Sequence, residues 1–460
     1  MRNVKKVAIA ATCTALLGGA MSTANAANWL MLQGAEKPGA APRAKVWGFI
    51  QPEYASTSDT KLKAGAFSGQ KGVFNQMRPD LKTAEGFNVL RARVGVRGTA
   101  MPIDSNVNYF FLAEFGNNGI TRQGGGSVKI TDASVTLNHL KGARFRVGTF
   151  KTPGSEEGLQ AIHVFDYNNF TGAVNGLILE RFFDGDGSTT AGNGTGTCAG
   201  GTSNAACANS TNGPVSAFRD TGVQVFNTFK NGNWEHSYAA MYGNGNGITR
   251  SDNDDNKETY LYWSSERVYG GQGGRRQGLK MFAWNQDGKR TLTGTTALGG
   301  TGGAGEYDRK RSGFGLTFRK GKQRAAFEYI KADGMIFNGT DGGAVAGSAN
   351  NAGTGTASWN VATTGEADGY YVHYGYAVTP KWELDARYDV YNRLTNSSAG
   401  ERKFETLTLG VQYFFNKKSR FIFNYEVRDA EAPNLASSSA ANQILDSMDD
   451  RITAQLLVIF

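Results

Sequence analysis

The sequence predicts an all-β fold: a transmembrane antiparallel β-barrel of about sixteen strands, with a long third loop folded into the lumen. Apolar and polar residues alternate along many short segments, and the connections between these segments alternate between short and long. No segment approaches eighteen consecutive apolar residues, and the mean hydropathy is −0.40, which excludes a helical membrane span. Strands that alternate lipid-facing and water-facing residues reconcile this hydropathy with a chain that crosses a membrane.

The last ten residues show the alternation most plainly. Ile452, Ala454, Leu456, Val458 and Phe460 share one face of an extended segment, and the other face is mixed. Such a strand fits a wall between lipid and a lumen, although the last strand of a soluble sandwich is an alternative. The terminal phenylalanine also resembles the assembly signal with which outer-membrane barrels commonly end.

Sixteen segments satisfy this pattern. They are residues 45–57, 86–99, 106–115, 128–138, 143–151, 218–230, 233–243, 257–269, 275–286, 309–319, 323–334, 366–377, 382–393, 402–415, 419–429 and 450–460.

The connections distinguish the two rims of the barrel. Seven are short, among them Asn231-Gly232, a common hairpin turn, whereas the intervening ones are long and polar, as in outer-membrane barrels with short periplasmic turns.

Both termini should face the periplasm, so the number of crossings is even. We therefore assign the apolar segment 177–183 to a third external loop, about 152–217, rather than to a seventeenth strand. An inward fold of this loop would narrow the channel; a plain surface loop is the alternative.

The N-terminus has the pattern of a secretory signal. Met1–Ala26 combines a basic start, a short apolar run and an A-x-A cleavage site. We expect 1–26 to be removed, 27–44 to form a periplasmic lead-in that packs at the foot of the barrel, and 45–460 to form the barrel domain. Loss of the three basic residues of the signal leaves 46 basic against 40 acidic residues and lowers the formal net charge from +9 to +6.

Export also guides the interpretation of the cysteines. Cys198 and Cys207 remain after cleavage, in a stretch rich in Gly, Ser, Thr and Asn. An even pair in an oxidising compartment predicts a disulfide. No histidine lies near them in sequence, and the chain has no C-x-x-C-H haem motif, so we expect no metal and no cofactor.

Arginines recur at every second position within several predicted strands. In the second strand, Arg91, Arg93 and Arg97 share one face while Leu90 and Val94 share the other. A charge facing lipid at the midplane would cost roughly 2–4 kcal/mol, so these side chains should point into the lumen. The predicted pore-lining residues are Arg91, Arg93, Arg97, Arg144, Arg146, Arg309, Arg311, Arg420 and Arg428.

Rows of arginine favour the passage of anions over cations. Carboxylates occur on the same faces, however: Glu383, Asp385 and Asp389 share a face with Arg387. A weakly selective general pore is therefore the alternative to an anion-preferring one.

The third loop is acidic rather than basic. Its predicted constriction residues are Glu156, Glu157, His163, Asp166, Glu180 and Arg181. A phosphate-specific constriction would be expected to carry a cluster of lysine or arginine instead.

Four patches resemble a known family. They are Lys45-Val-Trp-Gly-Phe-Ile-Gln-Pro-Glu53, Phe145 to Glu156, Leu179-Glu-Arg-Phe182, and Phe218 to Val225 followed by Tyr242-Gly-Asn-Gly245. Their order is similar to that in the phosphate-selective porin O and P family of Gram-negative outer membranes. The resemblance implies a sixteen-stranded homotrimeric channel with an infolded third loop and a basic lumen that favours anions.

These observations lead to one expected function. We expect an outer-membrane porin for passive diffusion of small hydrophilic solutes, with small anions such as phosphate preferred. Its expected partners are outer-membrane lipid, lipopolysaccharide, two further copies of the chain and small anionic solutes, with no nucleic acid. Tyr54, Trp382, Tyr391 and Tyr413, near strand ends, should anchor the lipid interfaces.

Two other classes remain open. A barrel enzyme would need a base near the lipid edge or the outer rim, but the chain has only four histidines, no G-x-S-x-G and no Ser/His pair with a recognisable spacing. A barrel that serves as a scaffold for an electron-transfer partner would leave no motif of its own.

Overall fold

The computed structural model describes residues 28–31, 43–57, 61–65, 68–69, 85–100, 102–118, 128–180, 216–248, 252, 254–271, 276–292, 305–339 and 359–460. Sixteen of its strands pair side by side, each antiparallel to its neighbours, into a closed barrel. The predicted fold class and number of barrel strands are confirmed. The signal segment lies outside the described residues, and no helix among the described residues is long and apolar enough to cross a membrane.

The barrel strands agree with the predicted ones to within a few residues at most ends. They are β1 (Lys45–Thr57), β2 (Glu85–Ala100), β3 (Asp104–Glu114), β4 (Lys129–Leu140), β5 (Ala143–Lys151), β6 (Arg219–Asn231), β7 (Trp234–Gly243), β8 (Glu258–Gly270), β9 (Gln277–Leu292), β10 (Gly305–Lys320), β11 (Gln323–Asp333), β14 (Glu366–Ala377), β15 (Trp382–Arg393), β16 (Arg402–Asn416), β17 (Ser419–Glu431) and β18 (Arg451–Ile459).

The first and last strands close the barrel. β1 pairs with β18 in an antiparallel register that places Phe49 opposite Ile459, and Gly48 and Phe460 exchange backbone hydrogen bonds of 3.2 and 3.0 Å. A side chain at position 48 would collide with the Phe460 ring. Closure leaves neither edge strand exposed.

Burial follows the two-residue period of the sequence. Along β18, Arg451, Thr453 and Gln455 are buried, whereas Ile452 and Leu456 are exposed. The barrel therefore presents its apolar face outward and its polar face to the interior, opposite to a soluble barrel.

The short connections are tight turns at one rim. Gly142, Gly232 and Gly321 occupy them with φ of +87°, +58° and +58°, a conformation that glycine adopts without steric cost. Asn231-Gly232 joins β6 to β7, as its sequence predicts.

One small sheet lies outside the predicted pattern. β12 (Ile336–Gly339) pairs with β13 (Trp359–Ala362) between barrel strands β11 and β14. Each is four residues long, too short for a period of two to be recognised. A short helix, Ala440–Leu445, precedes the last strand, and the Ser439 side chain accepts a hydrogen bond from the backbone N–H of Asn442 at its N-terminus.

The third loop folds inward, as predicted. Its described part runs from residue 152 to 180 through short helical segments at Glu156–Leu159, Ile162–Val164, Gly172–Val174 and Asn175–Leu179. Leu177 is fully buried and lies in a cluster with Trp284 and Ile330 from the barrel wall. Residues 177–179 are thus helical and form no seventeenth strand.

A short N-terminal segment also lies inside the barrel. The side-chain amide of Asn28 donates to Glu235 Oε1 (3.0 Å) and Ser237 Oγ (2.8 Å), both near the start of β7. Leu30 is buried. Residues 28–31 therefore pack against the interior wall near the rim of short turns.

The predicted aromatic anchors divide into two groups. Trp382 and Tyr413 lie across neighbouring strands with ring centroids 4.7 Å apart, and Tyr54 lies 4.8 Å from the largely exposed Phe87. The expectation for Tyr391 is wrong: its side chain is buried and stacks on Phe404, because its position in β15 has interior parity.

Candidate functional site

The nine predicted pore-lining arginines lie on the interior faces of their strands by alternation. Their surroundings differ from a solvated row of charges, because the third loop fills the middle of the barrel. Five of the nine are buried side chains, namely Arg93, Arg146, Arg309, Arg311 and Arg420. The charged side chains of the lumen are therefore held in ion pairs and hydrogen bonds as much as they are open cations.

Several of these guanidinium groups form hydrogen bonds with other residues of the chain. Arg93 donates through Nε to Glu114 at 2.6 Å, and Arg146 donates to Thr136 at 3.2 Å. Arg420 donates to the backbone oxygen of Phe165 in the third loop at 2.5 Å.

The side chains of the other four are less buried. Arg91 donates to Gln51 at 3.3 Å, Arg97 lies 5.8 Å from the ring centroid of Trp47, and Arg428 donates to the backbone oxygen of Asp449 at 2.8 Å. Arg144 is half-buried near the start of β5.

Glu180 holds the end of the described third loop against the wall. Its carboxylate pairs with Arg290 at 2.8 Å, Arg309 at 2.6 Å and Arg311 at 3.3 Å. Burial opposes ionisation of this carboxyl, but the three guanidinium groups outweigh it and lower the pKa of Glu180 to about 2. We call these four residues the Glu180 clamp.

Two further carboxylates of the loop meet arginines of the wall. Asp166 pairs with Arg324 at 3.3 Å, and Arg324 also contacts Glu383 and Asp385. Glu157 pairs with Arg387 at 3.1 Å and accepts two hydrogen bonds from Thr171. Burial raises the pKa of Glu157 despite the nearby Arg387.

The start of the loop is anchored differently, on a single carboxylate of β11. Glu328 accepts hydrogen bonds from Ser155 Oγ (3.1 Å), the Glu156 backbone N–H (3.2 Å), Trp284 Nε1 (3.0 Å) and the Tyr371 hydroxyl (3.2 Å). Lys280 binds the Glu156 side chain at 2.6 Å. Loop and wall thus share a buried polar network.

We expect Glu328→Leu to destabilise the barrel by about 3 kcal/mol, because four buried donors would lose their acceptor. Urea unfolding of the refolded protein measures this loss, and chymotrypsin cleavage of the third loop should become faster. Glu431→Leu removes a half-buried glutamate whose contact with Lys403 is a long 3.8 Å, and it serves as the control. Equal stability of the two variants would show that Glu328 does not anchor the loop.

A cavity of about 260 Å³ lies between the third loop and the wall formed by the first strands. We call it the basic vestibule. It is lined by Trp29, Lys45, Trp47, Phe49, Arg93, Arg97, Phe110, Leu112, Asp132, Lys151, Leu159, Ala161, Ile162, His163, Arg219, Lys418, Ile459 and Phe460.

Cations dominate the charged lining of the basic vestibule. Six lysines and arginines line it with one acidic side chain, Asp132, to which Arg219 donates at 3.0 Å. Glu114, which accepts a hydrogen bond from Arg93 Nε, reduces this excess without cancelling it. The vestibule is therefore a positively charged compartment.

His163 adds no charge to the vestibule at neutral pH. Its ring lies 5.7 Å from Trp47 and 5.3 Å from Phe49. Burial, together with the positive charges of Arg420 and Lys151, lowers the pKa of His163 to about 3. The ring is thus a neutral part of an aromatic wall.

Lys151 and Arg219 were missed by the alternation rule. Lys151 ends β5, and its ammonium group donates to the backbone oxygens of Gly158 (2.7 Å) and Gln160 (2.5 Å) in the third loop. Arg219 begins β6. Both flank the loop, where the chain leaves the wall and strand parity no longer tells the direction of a side chain.

Three predicted site residues lie outside the described part of the chain: Arg181, Cys198 and Cys207. Among the described residues, no group of three or more His, Cys, Asp or Glu side chains is placed to hold a metal ion.

One Ser/His contact was not visible in the sequence. His236 Nδ1 lies 2.9 Å from Ser265 Oγ across β7 and β8, beside the rings of Phe229 and Trp263. The described residues supply no carboxylate to the other ring nitrogen of His236. The pair lacks the orienting third member of a catalytic triad.

Comparisons with known proteins agree with this architecture. The model of the family phosphate-selective porin O and P matches residues 342–460, which confirms the predicted resemblance over that range; the four patches that carried the prediction lie before it. The comparison with curated protein sequences gives no match.

Several solved structures of low sequence identity have a similar fold. OmpF of Salmonella typhi, in complex with daunomycin, is 13% identical with a TM-score of 0.52, covering 91% of this chain and 97% of that one. A loop L8 deletion mutant of OmpT, an outer membrane protein of Vibrio cholerae, is 12% identical with a TM-score of 0.51, covering 92% and 100%. An anion-selective porin from Comamonas acidovorans is 12% identical with a TM-score of 0.49, covering 91% and 99%.

The chain therefore has a closed sixteen-stranded porin fold, and its residues 342–460 match the phosphate-selective porin O and P family.

Proposed function

We propose that this protein is an outer-membrane porin through which small hydrophilic solutes diffuse passively, with anions preferred over cations. The excess of lysine and arginine over carboxylates in the basic vestibule carries the proposal. A positive compartment raises the local concentration of anions and opposes the entry of cations. Concentration gradients would drive the flux, so neither a cofactor nor a catalytic step is required.

The proposal extends to the setting of the channel. The apolar outer face and the family match support insertion in the outer membrane of a Gram-negative bacterium, after removal of residues 1–26. Lipid and lipopolysaccharide would then surround the barrel. The family resemblance supports a homotrimer with one pore in each subunit.

A weakly selective general porin is the second candidate. It is favoured by the ion pairs away from the vestibule, where Arg324 and Arg387 are each paired with carboxylates. Paired charges of this kind contribute little net field. Selectivity would then depend on the vestibule alone.

The reversal potential of single channels in a KCl gradient distinguishes the two candidates. We expect the sign of the potential to show that chloride is more permeable than potassium. The magnitude of the potential should fall at higher salt concentration, because salt screens the charges of the vestibule. A potential near zero would support the general porin, and one of opposite sign would contradict the anion preference. The absence of discrete conductance steps would contradict a channel altogether.

A further inference from the structure

The basic vestibule has an apolar wall that an inorganic anion would not need. Ten of its eighteen lining residues are apolar, and Trp47 packs against Phe49 and Phe110 with ring centroids 6.3 and 6.2 Å apart. Chloride and phosphate gain nothing from such a surface. An arene, in contrast, gains by leaving water and by contacting other rings.

Arg93 belongs to the cationic lining of the vestibule and also contacts its apolar wall. Its guanidinium carbon lies 5.8 Å from the centroid of the Phe49 ring. Among the described residues, the hydrogen bond of its guanidinium group runs through Nε to Glu114, so the two terminal nitrogens can serve a ligand. Such a fork matches the paired oxygens of a carboxylate.

The dimensions limit the ligand. At about 260 Å³, the cavity is below the 300–1,000 Å³ range that is typical of sites for drug-sized molecules. A single ring with one short acidic substituent is of the appropriate size.

We propose that the basic vestibule is a binding site for small aromatic monoanions, with the ring against Trp47 and Phe49 and the carboxylate or sulfonate at Arg93. This proposal rests on the anion-preferring channel proposed above and names a class of solute for it. A resident aromatic anion would slow the passage of smaller ions through the same compartment.

Block of the chloride current of the full-length channel in planar bilayers tests the proposal. Benzoate should half-block the current at a concentration about tenfold below that of acetate or inorganic phosphate. Benzyl alcohol, which has the ring without the charge, should not block at the same concentrations. Equal potency of benzoate and acetate, or equal block by benzyl alcohol, would overturn the proposal.

Two variants locate the site. Trp47→Leu should reduce the tenfold preference for benzoate over acetate to about twofold, and Phe110→Leu, a second change in the same wall, should reduce it in the same direction. Tyr262→Leu removes an interior aromatic side chain outside the vestibule and should leave the preference unchanged. Loss of the preference in Tyr262→Leu but not in the other two would overturn the assigned position.

The outcomes separate this inference from the proposed function. A channel that prefers chloride to potassium but shows no preference for benzoate contradicts the aromatic site and leaves the anion porin intact. A channel that prefers potassium contradicts the proposed function and the site together.

Discussion

We expect Glu180→Gln to lower the free energy of unfolding by about 3–5 kcal/mol, the usual cost of breaking a buried ion pair. The change removes the negative charge of Glu180 but keeps the size of its side chain. Arg290, Arg309 and Arg311 would then share fewer counter-charges in a site from which water is excluded. Urea unfolding of the refolded barrel measures the effect.

Glutamine is preferred to glycine for this test because of the backbone conformation at residue 180. Residue 180 has φ +48°, and a change to glycine would alter chain flexibility as well as charge. Glu306→Gln, at a largely exposed glutamate 3.9 Å from Lys289, is the matched control and should change stability little. Similar losses in the two variants would contradict the clamp.

The same carboxylate predicts how stability depends on pH. The pKa of Glu180 falls from 4.5 to about 2 on folding, so its contribution is fully present above pH 4.5 and is lost as the pH falls through about 2. Between these limits the wild-type protein should lose stability more steeply than Glu180→Gln. Parallel pH profiles would contradict the lowered pKa.

The barrel could be predicted because one rule, alternation, applies to all sixteen strands. The rule needs only one strand-length segment on each side of a turn, and the even number of crossings resolved the one ambiguous segment, 177–183. The rule failed for β12 and β13, because each of these strands has only four residues, too few to show a period. Tyr391 was misplaced because its chemical type, which favours a lipid interface, was followed instead of the rule; the parity of its position directs it inward.

The interior could be predicted less well than the wall. Alternation shows that Arg309 and Arg311 face inward, but the sequence does not show that Glu180, well over a hundred residues earlier, lies between them. That contact depends on the path of the third loop. Burial and pairing therefore change the predicted row of open charges into a loop clamped to the wall by ion pairs, beside a vestibule with an excess of cations.

The rim of the vestibule offers the clearest test of selectivity. Lys45 and Lys418 line it and are exposed, so their replacement should leave the packing of the barrel intact. We expect the double variant Lys45→Glu/Lys418→Glu to lower the ratio of chloride to potassium permeability roughly fivefold, because two charges change sign within a Debye length of the ion path. Reversal potentials in a KCl gradient give the ratio directly.

A second double variant makes the same change in net charge elsewhere on this rim. Lys141 and Lys381 are exposed residues of short turns that do not line the vestibule. If the vestibule sets selectivity, Lys141→Glu/Lys381→Glu should change the permeability ratio much less than the rim variant. Equal effects would mean that the overall charge of the rim, and not the vestibule, governs which ions enter. Raising the salt concentration should reduce the difference between the variants, since screening shortens the reach of each charge.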